Sequence, residues 1–155
     1  MVTGGGSGIG LAIARALAGE GCRVAIAGRR EQTLREAIDS SAGDLGLECH
    51  TVDVAERESV TALFSWIADS LGPLDILINS AGTNIKSRKM SEMTPEQWDQ
   101  VMAINANGAY YCMHAALPGM RERQDGLIVN ISSIAGIRAS DLGGIAYCAS
   151  KFAMT

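Results

Sequence analysis

Residues 3–10 read Thr3-Gly4-Gly5-Gly6-Ser7-Gly8-Ile9-Gly10, and they fall where a short β-branched run stops and a helical pattern begins. A helix that starts there presents unpaired backbone N–H groups and the positive end of its dipole. Both hold a pyrophosphate without any lysine. In this reading Gly4 permits the tight turn, Gly8 lets the backbone approach phosphate, and Gly10 lets helix and strand pack closely. Ser7 and Ile9 complete the contact surface. The spacing G-x-x-x-G-x-G differs from the commoner G-x-G-x-x-G, and no Gly-Lys-Ser/Thr follows as a P-loop would require. Three glycines so spaced arise by chance roughly 0.24 times in a chain of this composition. The position at a strand-to-helix junction therefore carries more weight than the glycines alone, and a merely flexible turn is the competing reading.

Working outward, short β-branched runs alternate with longer helical ones, the mark of a parallel α/β sheet. Residues 1–3 read as the stub of a first strand, followed by a helix with Ile9, Ile13 and Leu17 on one face. Residues 23–27 (RVAIA) read as a second strand, then a charged helix using Leu34, Ala37 and Ile38. A third strand covers about 48–52. The helix after it is strongly amphipathic, with Val60, Leu63, Phe64, Ile67, Ala68 and Leu71 at 3.6-residue spacing. The fourth strand is 75–79 (DILIN). Thr94-Pro95-Glu96-Gln97 is a capping box with proline at the first helical position, opening a helix to about Leu117. Residues 127–131 form a fifth strand, and a last helix begins near Tyr147. The expected architecture is one Rossmann-like domain over residues 1–155, a doubly wound parallel sheet in three α/β/α layers. The two-residue first strand and a chain ending inside a helix make it look incomplete at both ends.

The chain has 155 residues, 47% hydrophobic and 19% charged, which excludes a disordered segment. Its net charge of −4 opposes nucleic acid and anionic membrane, so an anionic ligand must be held locally. The 18 glycines, well above the usual share, suggest several tight turns around a ligand. The four cysteines, Cys22, Cys49, Cys112 and Cys148, contain no C-x-x-C. Reduced thiols in a cytoplasmic protein, with no metal site, are the expectation. No basic-then-apolar leader opens the chain. The uncharged run 100–120 is long enough for a bilayer, yet Asn105, Asn107, His114 and Pro118 would be costly there, so it reads as a helix buried in protein.

Ligands of open α/β sheets bind outside the carboxyl ends of the strands, and the informative residues all fall at such ends. Closing the second strand, Gly28 stands where an acid would bind a ribose diol, and Arg29 and Arg30 follow. Arginine accommodates a 2′-phosphate, so NADP(H) is favoured over NAD(H); solvated surface arginines are the bland alternative. Asp53 suits an adenine amino group or a plain helix cap. Asn79, Ala81 and Gly82 close the fourth strand and border the expected nicotinamide ribose.

Tyr147 and Lys151, four apart, share a helix face. A chance Y-x-x-x-K arises only roughly 0.06 times in such a chain. Ionising a phenol at neutral pH costs about 4 kcal/mol, and an ammonium about 4 Å away at an effective dielectric near 20 supplies about as much. Ser132 and Ser133 end the fifth strand, where a hydroxyl donates to a carbonyl while Tyr147 delivers the proton. Asn105, a poor helix former in mid-helix, needs buried partners; holding a water that relays protons from Lys151 is one such role.

These motifs in order, Thr3–Gly10, Asp53-Val54, Asn79-Ser80-Ala81-Gly82, Asn105, Ile131-Ser132-Ser133 and Tyr147-Cys148-Ala149-Ser150-Lys151, resemble the short-chain dehydrogenase/reductase family over the whole chain. The resemblance implies a tetrad of Asn105, Ser133, Tyr147 and Lys151, with Tyr147 as general acid/base. It implies hydride transfer between nicotinamide and a ketone or secondary alcohol, and a homo-oligomer (tetramer or dimer) of about 250-residue subunits. Departures are Ser80 in place of a second asparagine, no basic residue at Ser7, and one extra residue between Ser133 and Tyr147, which leaves Ser132 as an alternative to Ser133. The segment 83–92 carries Lys86, Arg88 and Lys89; a solvated basic loop is the first reading, attraction of an anionic substrate such as a 3-oxoacyl thioester the second. A dinucleotide-binding fragment with weak or no catalysis is the alternative to an oxidoreductase.

Overall fold

The computed structural model describes residues 1–41, 46–139 and 141–155. Five parallel strands form one sheet in the order β3-β2-β1-β4-β5. They are β1 (Val2–Thr3), β2 (Val24–Gly28), β3 (Leu47–Thr51), β4 (Ile76–Asn79) and β5 (Leu127–Asn130). The helices are α1 (Gly8–Gly19), α2 (Glu31–Asp39), α3 (Arg57–Ser70), α4 (Pro95–Met102), α5 (Gly108–Arg123) and α6 (Ile145–Met154). This is the expected α/β Rossmann-like order, and β1 lies at its centre. The chain winds outward from β1 in both directions, so a crevice opens between β1 and β4 at the carboxyl edge.

The sheet is apolar on both faces, as a parallel sheet covered by helices must be. Alternate residues of β2 serve opposite layers. Val24 and Ile26 pack with Val2, Ala14, Ala18, Leu34, Ala37 and Ile78. Ala25 and Ala27 pack with Val60, Leu63, Ile67, Leu77, Cys112 and Met120. The α3 periodicity is thus satisfied by burial of Val60, Leu63 and Ile67. Burial pushes the Cys112 thiol up to about 12, so it stays protonated and unreactive.

Three local features depart from the sequence reading. The fully buried residues of α1 are Gly10, Ala14 and Ala18; of the expected stripe, Ile13 and Leu17 pack half-buried against the core, and Ile9 does not. Small residues let α1 approach the sheet, and Ile9 stays 65% exposed. The helix opened by Thr94 does have its capping box, with Gln97 N donating to Thr94 Oγ1 at 3.3 Å and Thr94 N donating to Gln97 Oε1 at 3.0 Å. It does not run evenly to Leu117, however, since a π-helical segment over Ala103–Asn107 separates α4 from α5, and α5 carries Pro118 internally and ends at Arg123. Finally, the cap of α3 is Glu56, whereas Asp53 makes a turn before it, its Oδ1 accepting from Ala55 N at 3.1 Å. Among the described residues no helix is long and apolar enough to cross a membrane.

Candidate active site

The glycine-rich turn is shaped by close approaches. Gly4 has φ +64°, and a Cβ there would lie 2.9 Å from the Ala81 backbone. A Cβ on Gly10 would lie 2.4 Å from the Gly4 carbonyl oxygen. Thr3, not singled out from the sequence, joins the two strand ends: its Oγ1 accepts from Ser80 N and Ala81 N, each at 3.1 Å. The β1–α1 and β4 loops are therefore laced together directly under the crevice. Gly8, at φ +54°, faces open space. The Ser7 side chain makes no capping hydrogen bond, so the first-turn amides of α1 stay available to an anion. A diphosphate fits this cradle, since bare backbone and uncapped N–H groups are what it needs.

Two hollows meet at the cradle and share Gly4, Ser7 and Gly82. One, about 540 Å³, is lined by Arg29, Arg30, Asp53, Val54 and Ala81 among others. The other, about 730 Å³, takes in Ile9, Gly10, Ser132, Ser133, Tyr147 and Lys151. Sequence-distant residues from five strand ends thus line one continuous groove. Asn79 is not among them. Its side chain is buried in the sheet, where Nδ2 donates to Asn130 Oδ1 at 2.9 Å and Oδ1 has no partner among the described residues.

At the head of the larger hollow Lys151 Nζ lies 5.7 Å from the centre of the Tyr147 ring. Lys151 is buried and donates to the Ile131 carbonyl at 2.8 Å. Desolvation lowers its pKa below the ordinary lysine value. The unfolded chain then binds more protons between that lowered value and about 10.5, so this group makes stability rise with pH across the window and withholds it below. Replacing Lys151 by Met in the full-length protein is expected to remove that rise, read as the difference between wild-type and variant urea midpoints from pH 7 to 10, and to lower turnover by about 10²-fold or more.

The two serines differ in what their hydroxyls do. Ser132 Oγ donates to the Lys151 carbonyl at 3.2 Å and shares a 2.9 Å hydrogen bond with Thr155. Ser133 Oγ accepts from Ala135 N at 3.2 Å, which leaves its own proton to donate. Asn105 lies fully buried in the π-helical segment. Its Oδ1 accepts from Thr83 N at 2.7 Å, and its Nδ2 donates to Thr83 O at 2.9 Å and Ser150 Oγ at 3.0 Å. Ser150 in turn donates to the Tyr147 carbonyl at 2.8 Å. The Asn105 amide is thus occupied in tying the β4 loop to α6. The sequence reading gives Thr83 and Ser150 no role of their own; a serine in mid-helix, where it is a poor helix former, is the signal that points to one.

A family model described as short chain dehydrogenase matches residues 1–155. The chain belongs to the short-chain dehydrogenase family. It is 38% identical over 154 residues to an uncharacterized oxidoreductase of Staphylococcus aureus (strain MRSA252), covering 99% of this chain. It spans about 65% of the length of that relative. Two solved structures superimpose closely. A serine dehydrogenase complexed with NADP+ does so at TM-score 0.88 and 33% identity, over 97% of this chain and 60% of the other. A variant of actinorhodin polyketide ketoreductase with NADPH does so at 0.91 and 35%, over 98% and 59%.

Proposed function

We propose that this short-chain dehydrogenase is an NADP(H)-dependent oxidoreductase acting on a ketone or secondary alcohol, 3-oxoacyl thioesters being one class within reach. One observation carries the reading: a phenol and a buried ammonium stand together where the hollow beside the phosphate cradle ends. When bound, the nicotinamide supplies the hydride, two electrons and one hydrogen, to the carbonyl carbon. Tyr147 gives its hydroxyl proton to the carbonyl oxygen, and the same oxygen takes it back in the oxidation direction. The buried Lys151 ammonium stands 5.7 Å from the Tyr147 ring centre, a cation beside the phenol that gives up the proton. Ser133 donates to the carbonyl oxygen as charge grows there. Asn105 acts through Thr83 and Ser150 as a positioning residue for α6. Gly4, Ser7, Gly8, Ile9 and Gly10 hold the diphosphate, Ala81, Gly82 and Lys151 the nicotinamide side, and Asp53 and Val54 the adenine side.

Arg29 and Arg30 support the 2′-phosphate. Both line the smaller hollow, both are exposed, and the nearby Glu31 is engaged with Arg35 at 2.6 Å. Replacing both arginines by Gln is expected to weaken NADPH binding about 10- to 100-fold, the loss of charge-assisted bonds of roughly 1.5–3 kcal/mol, while NADH binding is little changed. Fluorescence titration with the two dinucleotides checks this. Equal loss for both would remove the NADP(H) preference. Reduction of ketones with NADPH oxidation by the full-length protein tests the reaction itself.

A further inference from the structure

The larger hollow has a charge pattern that the reduction of a neutral ketone does not explain. Among the described residues its charged lining residues are Arg88 and Lys151, both cations, and none is a carboxylate. Lys151 is occupied at the base by the Ile131 carbonyl. Arg88 stands apart from it on the segment after β4.

The neighbouring cations are differently placed. Lys89 pairs with Glu92 at 3.4 Å, and Lys86 does not line the hollow. Arg88 has no ion pair among the described residues. Asp141, the nearest acid in sequence to the turn that Arg88 touches, is exposed and lines a different hollow with Ile134, Arg138 and Ala139.

Backbone contacts hold the Arg88 guanidinium in place. Its Nε donates to the Ile85 carbonyl at 3.3 Å and its Nη1 to the Leu142 carbonyl. Beside it, Asn84 Nδ2 donates to the Gly143 carbonyl at 3.0 Å. Gly144, at φ +75°, packs so tightly that a Cβ would lie 2.7 Å from the Arg88 Cβ. Gly144 is also the cap of α6, three residues before Tyr147. The cation is therefore held in a constant relation to the proton donor. Of its five N–H groups two are used among the described residues, and the remaining three form a fork suited to a carboxylate or phosphate.

We propose that Arg88 anchors an acidic group, carboxylate or phosphate, on the carbonyl substrate, so that the preferred substrates are keto acids or keto phosphates. This rests on the dehydrogenase reading above. The test compares matched pairs in the full-length protein: acetoacetate against its neutral analogue acetylacetone, and dihydroxyacetone phosphate against dihydroxyacetone. Wild type is expected to favour the acidic member of at least one pair about 10-fold or more in kcat/KM, mainly through KM. Which pair shows it distinguishes carboxylate from phosphate. Arg88→Met should abolish the preference and leave the neutral member nearly unchanged, while Arg88→Lys retains part of it. A purely structural lock would lower both members alike, and that result, or no preference in wild type, overturns the anchor. Calorimetric binding of acetoacetate and dihydroxyacetone phosphate to the NADP⁺-loaded protein separates the two ideas. Binding weakened by Arg88→Met without turnover of either pair keeps the anchor and sinks the reductase; turnover without charge discrimination does the reverse.

Discussion

Tyr147→Phe in the full-length protein should lower kcat for ketone reduction by about 10³-fold, inside the range of 10²–10⁴ that a positioned general acid supplies. The phenyl ring keeps its place on α6 beside Lys151, since the substitution removes only the hydroxyl of a residue that lines the hollow. NADPH binding should therefore survive, since the proposed reading assigns it to the glycine cradle and the arginines at the far end of the groove. The pairing of lost turnover with kept affinity identifies the phenol as the proton donor. Retained turnover would refute that role, and a parallel loss of binding would mean that the ring, not the hydroxyl, was doing the work. Stopped-flow absorbance at the reduced-nicotinamide band and dinucleotide titration read the two quantities separately.

The second large effect is expected at Gly10. A methyl group there would meet the Gly4 carbonyl oxygen at 2.4 Å, a contact with backbone that no rotamer change relieves. Overpacking of this kind costs about 1–3 kcal/mol, and here the strain falls on the turn proposed to hold the diphosphate. Gly10→Ala should lower the denaturation midpoint and weaken NADPH by at least about 10-fold, since 1.4 kcal/mol transferred to the bound state is a factor of ten. Gly8→Ala is the contrast. Its Cβ meets nothing within 4 Å, and its cost comes from a left-handed backbone at φ +54°, about 1–2 kcal/mol. If Gly10→Ala bound dinucleotide and melted like wild type, α1 would have room to move off the sheet, and the cradle would not be the rigid element described.

How much could be read in advance follows from the range of the interactions involved. The alternation of β-branched runs with amphipathic stretches reports the strands and helices because burial period is a local property of the chain. The Thr94 capping box is equally local, closed within four residues. Tyr147 and Lys151 share a face by helical geometry alone. By contrast, Asn79 and Asn105 both read as site residues. Asn79 turned into the sheet toward Asn130, 51 residues away. Asn105 is bound to Thr83 and Ser150, at separations of 22 and 45. A single sequence does not encode such pairings in any period. The exposure of Ile9 is similar: Gly10, Ala14 and Ala18 take the fully buried face of α1, Ile13 and Leu17 pack at its flank, and Ile9 is left outside.

From the order of residues alone came the α/β class, the glycine-rich turn between β1 and α1, the phenol–ammonium pair and the basic residues after β2, each a matter of near neighbours and backbone conformation. Only the folded chain decided which of two adjacent serines keeps a proton to give, that the Asn105 amide is spent on holding α6, and that Arg88 is gripped by the turn before Tyr147. Those outcomes depend on which distant groups meet and compete for a donor or acceptor, and that is settled when the layers close.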